Sequence, residues 1–385
     1  MIVPDPAYRP NPARAIYVQG VIDEQTVARV TPRIIQLQAN SRDPITVYID
    51  SRGGNVASAE SIIRLLASSN QNSDPPCRII TVVTGRAASA AADLLSSGNY
   101  AIAYPEATIF YHGVRQSLPD PVTVEFGSAL TESLKISNDR SAMALARRTE
   151  WRFMFRFVMM KHQFGDFRAR ISDPAKSDLD CFVGLVCEHL SSQAMKLVSR
   201  ARERHGRYSS LLDKALTAAF RSKSLRAPKK SVADVEAEII KKIIDFEVAN
   251  HKKEPDWSFH AGGLSRLSDD FFLLNEYVIS SGSDQFKRIC ERWGQFALTP
   301  EETAELEAMP DEKVRTEARL NKVRAQFQPL WSFLVALCHA LQEGEENYMT
   351  ALDAFWLGLI DEVIGEDFPS PRLFSEFQPD PAPIA

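Results

Sequence analysis

Three short β-rich runs, starting near residues 16, 45 and 79 and separated by helical stretches, constrain this chain more than any other feature. Ile16-Tyr17-Val18 is the first. Glu24–Gln38 follows, with Val27, Val30, Ile34, Ile35 and Leu37 near helical spacing. Ile45–Ile49 alternates into Ser51-Arg52-Gly53-Gly54, and Ala57–Ala67 then carries Ile62, Ile63, Leu65 and Leu66 on one side. Ile79–Thr84 leads through Gly85 into the small-residue segment Ala87–Leu95, read as a helix. Tyr100–Ala103 and Ala107–Tyr111 are two more strand-like runs. Strands that alternate with helices are joined by right-handed crossovers and pair in parallel. The expected fold class is therefore α/β, with a parallel sheet built from βαβ units.

Beyond Val122 the strand signal fades. Val122–Arg148 reads as one long helix. Ser231 and Asp234 precede Val235, Ile239, Ile240, Ile243 and Ile244 as the cap of an amphipathic helix. Thr299-Pro300-Glu301-Glu302 has the order of a second helix start. The region 150–335 is expected to be mainly helical, and the tail from Phe368 is proline-rich.

Composition excludes several classes. The 385 residues are 44% apolar and 25% charged with a net charge of −5, an ordinary globular profile without a global polycation. Lys196–Lys230 holds 11 basic residues against two acids; a solvated helix and linker explains it, and no nucleic-acid motif accompanies it. No apolar run reaches the roughly 18 residues of a membrane span, and the proline-laden start has no signal-peptide core. Five scattered cysteines suit a reducing, cytoplasmic compartment. No histidine or cysteine spacing suggests a metal, and no phosphate-binding loop or other cofactor signature occurs.

In an open parallel sheet, reactive groups gather at the carboxyl ends of the strands. Here one end carries Gly53-Gly54, the next Gly85-Arg86-Ala87-Ala88-Ser89, and a third His112. Taken singly, these are a turn, a helix cap and a lone imidazole. Together they supply what acyl transfer needs: a hydroxyl nucleophile, a base for its proton and backbone donors for an oxyanion.

At these residues the sequence resembles the proteolytic subunit of the Clp proteases. Ile45–Ile62 is similar to that family's strand, Gly-Gly turn and helix. Thr84–Gly98 resembles its nucleophile segment, and Ile109–His112 its histidine strand. Ser128–Arg148 resembles the handle helix through which two rings meet, and Asn347–Ile364 the closing segment. The resemblance implies a Clp protease/crotonase-like fold and divides the chain into an N-terminal segment 1–13, a core 14–149, a helical insertion 150–335, a closing core segment 336–366 and a tail 367–385.

It also implies a serine endopeptidase that forms ring-shaped homo-oligomers and cuts peptides or unfolded proteins delivered by an ATP-driven AAA+ unfoldase. Ser89 is then the nucleophile and His112 the general base. The backbone N–H groups of Gly54 and Ala90 are the oxyanion donors. A gapless count back from Gly358-Leu359-Ile360-Asp361 places Glu346 as the third catalytic member, with Glu345 and Asp353 as rivals and Asp361 as a structural turn residue. The chain departs from the family at Arg52 (a proline there), Arg86 (a glutamine), Asp93 (an apolar residue) and Glu346 (an aspartate). Arg52, Asp93 and Glu346 support an alternative, an inactive scaffold or regulatory subunit of the same fold, whereas Arg86 would bias substrate charge. A signal-peptide-peptidase type is disfavoured by His112 and the missing span; a crotonase-type acyl-CoA enzyme does not need the Ser–His pair.

Overall fold

The computed structural model describes residues 9–68, 76–116, 123–163, 176–221, 300–343 and 346–365, with isolated positions between 289 and 298. Two compact units divide the chain: 1–112 with 144–197 and 344–385, and 113–143 with 198–343. The expected helix over 235–244 and the proline-rich tail lie outside the described residues.

The first unit holds a seven-stranded sheet. β1 (Ala15–Ile22), β2 (Ile45–Gly54), β3 (Ile79–Ala88), β4 (Tyr100–Ala103) and β7 (Glu362–Val363) lie side by side and parallel. β5 (Thr108–Tyr111) pairs in parallel with the end of β3 and antiparallel with β6 (Asn347–Thr350). α1 (Glu24–Asn40) and α2 (Val56–Ala67) cross between the first three strands. Each has a polar N-cap: the Asp23 carboxylate accepts from Thr26 N–H at 2.8 Å, and the Asn55 side chain from Ser58 N–H at 3.1 Å. The central strands are buried on both faces, as helix-covered parallel strands must be, with Ile45, Val47, Ile49, Ile80 and Val83 inaccessible to solvent.

One local expectation changes. Ala87 and Ala88, the expected start of the helix, are strand: β3 continues through Arg86, Ala87 and Ala88, which pair with Thr108, Ile109 and Phe110. The helix that follows, α3, is only Ala90–Ser96. Ladder hydrogen bonding to β5 outweighs the helix propensity of two alanines.

The long helix α4 runs Val124–Gln163 without a break at residue 149. Its early part is largely exposed, whereas nearly every residue from Thr149 to Lys161 is buried. Arg152 is buried with Asp361 at 2.7 Å, and its guanidinium also donates to the carbonyls of Ser96 (3.1 Å) and Gly98 (2.5 Å). Arg156 donates to Ile360 O at 2.6 Å and lies 4.0 Å over the Phe355 ring. Residues 150–163, the start of the expected insertion, thus pack within the same unit as the strands. α5 (Asp178–Glu188) joins them through the edge-on contacts of Phe182 with Phe153 and Phe157, 5.2 and 5.6 Å between ring centres.

In the second unit, α6 (Ser192–Arg221, whose first turns belong to the first unit), α7 (Pro300–Glu307) and α8 (Glu312–Leu341) are the described helices besides the start of α4. Buried His339 on α8 meets Asp139 of α4 at 2.9 Å, and Arg204 of α6 pairs with Glu343 beyond it. The carboxylates favour a protonated imidazole and outweigh its burial and the opposing Arg204 charge.

Candidate active site

Ser89 occupies the junction between β3 and α3, and it is the one described non-glycine residue with positive φ, at φ 55 and ψ −127. That backbone belongs to glycine-type turns and is a strained setting for a side chain. It turns the chain out of the sheet and leaves the serine half-buried at the strand end. The junction is fixed from two sides. Ser89 N–H donates to Phe110 O at 2.8 Å, while Ser89 O accepts from Ala92 N–H at 2.8 Å.

Gly53 closes the third side. A Cβ on it would lie 2.3 Å from Ala88 O, 2.8 Å from Ser89 Cβ and 3.2 Å from Ala90 N. Its φ of +84 also requires glycine. Both glycines of the turn are tightly enclosed, Gly53 by the serine segment and Gly54 by β1, where a Cβ would meet Ile22 O at 2.3 Å. Ala90, the first residue of α3, is buried, and amides of a first helical turn lack intrahelical acceptors.

His112 follows β5 directly, so the β3–β5 pairing that bonds Ser89 to Phe110 also sets the histidine strand beside the serine strand. The imidazole is half-buried and its centre is 5.3 Å from the Phe110 ring. β6 pairs with the same strand, Phe110 with Tyr348 and Tyr111 with Asn347. Glu346 immediately precedes β6, as His112 immediately follows β5. The exposed Glu346 carboxylate accepts from the Tyr348 hydroxyl at 2.8 Å.

The two rivals are placed differently. Glu345 lies outside the described residues. Asp353 is the N3 residue of a capping box on α9 (Ala351–Trp356): it accepts from Thr350 N–H at 3.0 Å and from Ser191 N–H and Oγ–H, both at 2.8 Å. Its carboxylate ties α9 to the start of α6. Asp361 is a turn residue, accepting from Ala101 N–H at 2.6 Å and pairing with Arg152. Before it, Gly358 at φ +78 ends α9 with the paired bonds Leu359 N–H to Ala354 O and Gly358 N–H to Phe355 O.

Three departures noted in the sequence find a setting. Arg52 and Arg86 are both exposed at the strand ends next to the glycine turn and the serine segment. Arg86 N–H donates to the Asp50 carboxylate at 3.1 Å. Asp93 is half-buried on α3, and burial pushes its carboxyl up to about 6; the positive charge of Arg148 lowers it and Glu60 raises it further. Tyr348 carries no sequence signal of its own, because its place beside Glu346 needs the strand register.

Residues 7–126 match the model of a family described as Clp protease. The match spans β1 to β5 and stops inside α4, so Glu346 and the closing segment lie beyond it. No curated protein matches the chain.

Proposed function

Residues 7–126 are a Clp protease family region, and from that premise we propose that the chain is a serine endopeptidase acting through an acyl-enzyme. In this reading Ser89 Oγ attacks the scissile carbonyl while His112 takes its proton. The tetrahedral oxyanion is held by the backbone N–H groups of Gly54 and Ala90, and His112 returns the proton to the leaving amine. Water, activated by the same imidazole, then releases the acyl group. Glu346 orients the imidazole and stabilises its protonated form.

The observation that carries the reading is the strained Ser89 backbone, held between Gly53 and the Phe110 carbonyl on the strand that leads into His112. A serine that served only as a helix cap would not need that backbone. Ser89 in fact makes no side-chain cap bond to α3. The substrate is a peptide or unfolded protein, the working form is a ring-shaped homo-oligomer, and an AAA+ unfoldase is the supplying partner. The part of 150–335 beyond the buried end of α4 modifies access or assembly. No helix among the described residues is long and apolar enough to cross a membrane. The proposed setting is cytoplasmic, in keeping with the scattered cysteines of the sequence.

Peptide hydrolysis by the full chain tests the proposal. Ser89→Ala and His112→Ala are each expected to abolish turnover, and the double variant to be no worse, because the pair acts as one unit. Strictly additive losses, or turnover that survives Ser89→Ala, would overturn it.

A further inference from the structure

Glu346 is a long side chain for the task of orienting an imidazole. A glutamate has one more rotatable bond than an aspartate, so its carboxylate must be restrained to stay at one distance and angle. The structure contains a restraint. Tyr348 lies two residues on, in β6, and its hydroxyl reaches back to Glu346. Its ring stacks on Phe110 with 4.5 Å between centres and 18° between planes. Phe110 in turn borders the His112 imidazole at 5.3 Å. The stack holds the phenol oxygen where it donates to Glu346 Oε2 at 2.8 Å. Pinning one oxygen in a charge-assisted hydrogen bond limits how the carboxylate can turn relative to the imidazole.

We propose that Tyr348 is a positioning residue of this site, whose hydroxyl fixes the Glu346 carboxylate that orients His112. The inference rests on the peptidase reading above. It gives the ring–ring stack on Phe110 a purpose: the aromatic body locates the hydroxyl, and the hydroxyl locates the acid. A phenylalanine at 348 would keep the stack and lose the restraint.

The test is steady-state hydrolysis of a fluorogenic peptide by the full chain as wild type, Tyr348→Phe, Glu346→Gln and the double variant. Tyr348→Phe is expected to lower kcat about 5- to 10-fold with KM little changed, the scale of one charge-assisted hydrogen bond at a half-exposed position. The acid limb of its pH–rate profile should move to lower pH, because a loosened carboxylate supports the protonated imidazole less. In the Glu346→Gln background the same substitution should have no further effect, whereas a purely structural tyrosine would give the same fractional loss in both backgrounds. An unchanged kcat, an unmoved acid limb or equal losses in both backgrounds would overturn the role of Tyr348 and leave the peptidase standing. Absence of any Ser89-dependent turnover in the wild type would overturn the peptidase and this inference with it.

Discussion

Gly53 and Ser89 are packed so tightly that a methyl group on the glycine would stand 2.8 Å from the serine Cβ. The two residues lie at the ends of adjacent parallel strands, whose pairing shifts register between Ile49 and Ser51 before Ser51 meets Ala87. That irregularity lets the glycine turn approach the serine backbone. The fit leaves no room for any other side chain at residue 53.

Gly53→Ala should therefore cost about 2–4 kcal/mol, from the contact with Ala88 O and the unfavourable φ of +84. Its expected signature is a lowered denaturation midpoint together with loss of peptide turnover. A variant as stable and active as wild type would show that the turn does not press on the serine.

Ser89→Gly should act in the opposite direction on stability. Glycine adopts φ 55 without the penalty a serine carries, so the variant should gain about 1 kcal/mol while losing activity. Chemical denaturation of wild type, Ser89→Ala and Ser89→Gly separates the effects: Ser89→Ala keeps the strain and Ser89→Gly removes it. Equal stability of all three would mean that the junction is not strained.

Arg152 and Asp361 form a buried pair whose side chains are only 2% and 8% exposed. Removing one partner leaves the other charge buried, so Arg152→Met or Asp361→Asn should each cost about 3–5 kcal/mol. The double variant should cost less than the sum of the two. Urea denaturation checks this. It also distinguishes a structural Asp361 from a catalytic one, because Asp361→Asn should lower stability without changing kcat of the folded fraction.

Asp93 sets a pH dependence of known sign. Its folded value is raised from 3.8 to about 6, so ionising it in the native state works against folding above that pH. Its contribution to stability should improve as pH falls from about 6 toward 3.8. Asp93→Asn should stabilise the protein by about 1–2 kcal/mol at pH 8, after allowance for the partial exposure of the group, with the gain vanishing near pH 4. Thermal unfolding at the two pH values measures the difference; a gain that is the same at both would contradict it.

Much of the first unit was legible from residues alone. Ile45–Ile49 and Ile79–Val83 are mostly apolar or β-branched because both faces of those strands are largely covered, and the glycine and serine segments fall where such strands end. The extension of β3 through Ala88 was not legible, since Ala87 and Ala88 favour helix locally and only their pairing with β5 makes them strand. The end of α4 was hidden for a different reason. Residues 149–161 are buried on nearly all sides, so they carry no amphipathic stripe to mark a helix. The charges within them are matched far along the chain, as Arg152 is with Asp361, and nothing local announces such a pair. Glu346 came from counting back along the closing segment, whereas Tyr348 became visible only when β6 was set against β5.

Covalent labelling of the full chain with a fluorophosphonate, followed by mass spectrometry of its peptides, tests whether Ser89 is an activated nucleophile. One adduct is expected, on Ser89, that disappears in Ser89→Ala and forms far more slowly in His112→Ala, because the hydroxyl then lacks its base. An adduct on another serine, or no adduct on the assembled wild-type protein, would contradict that role.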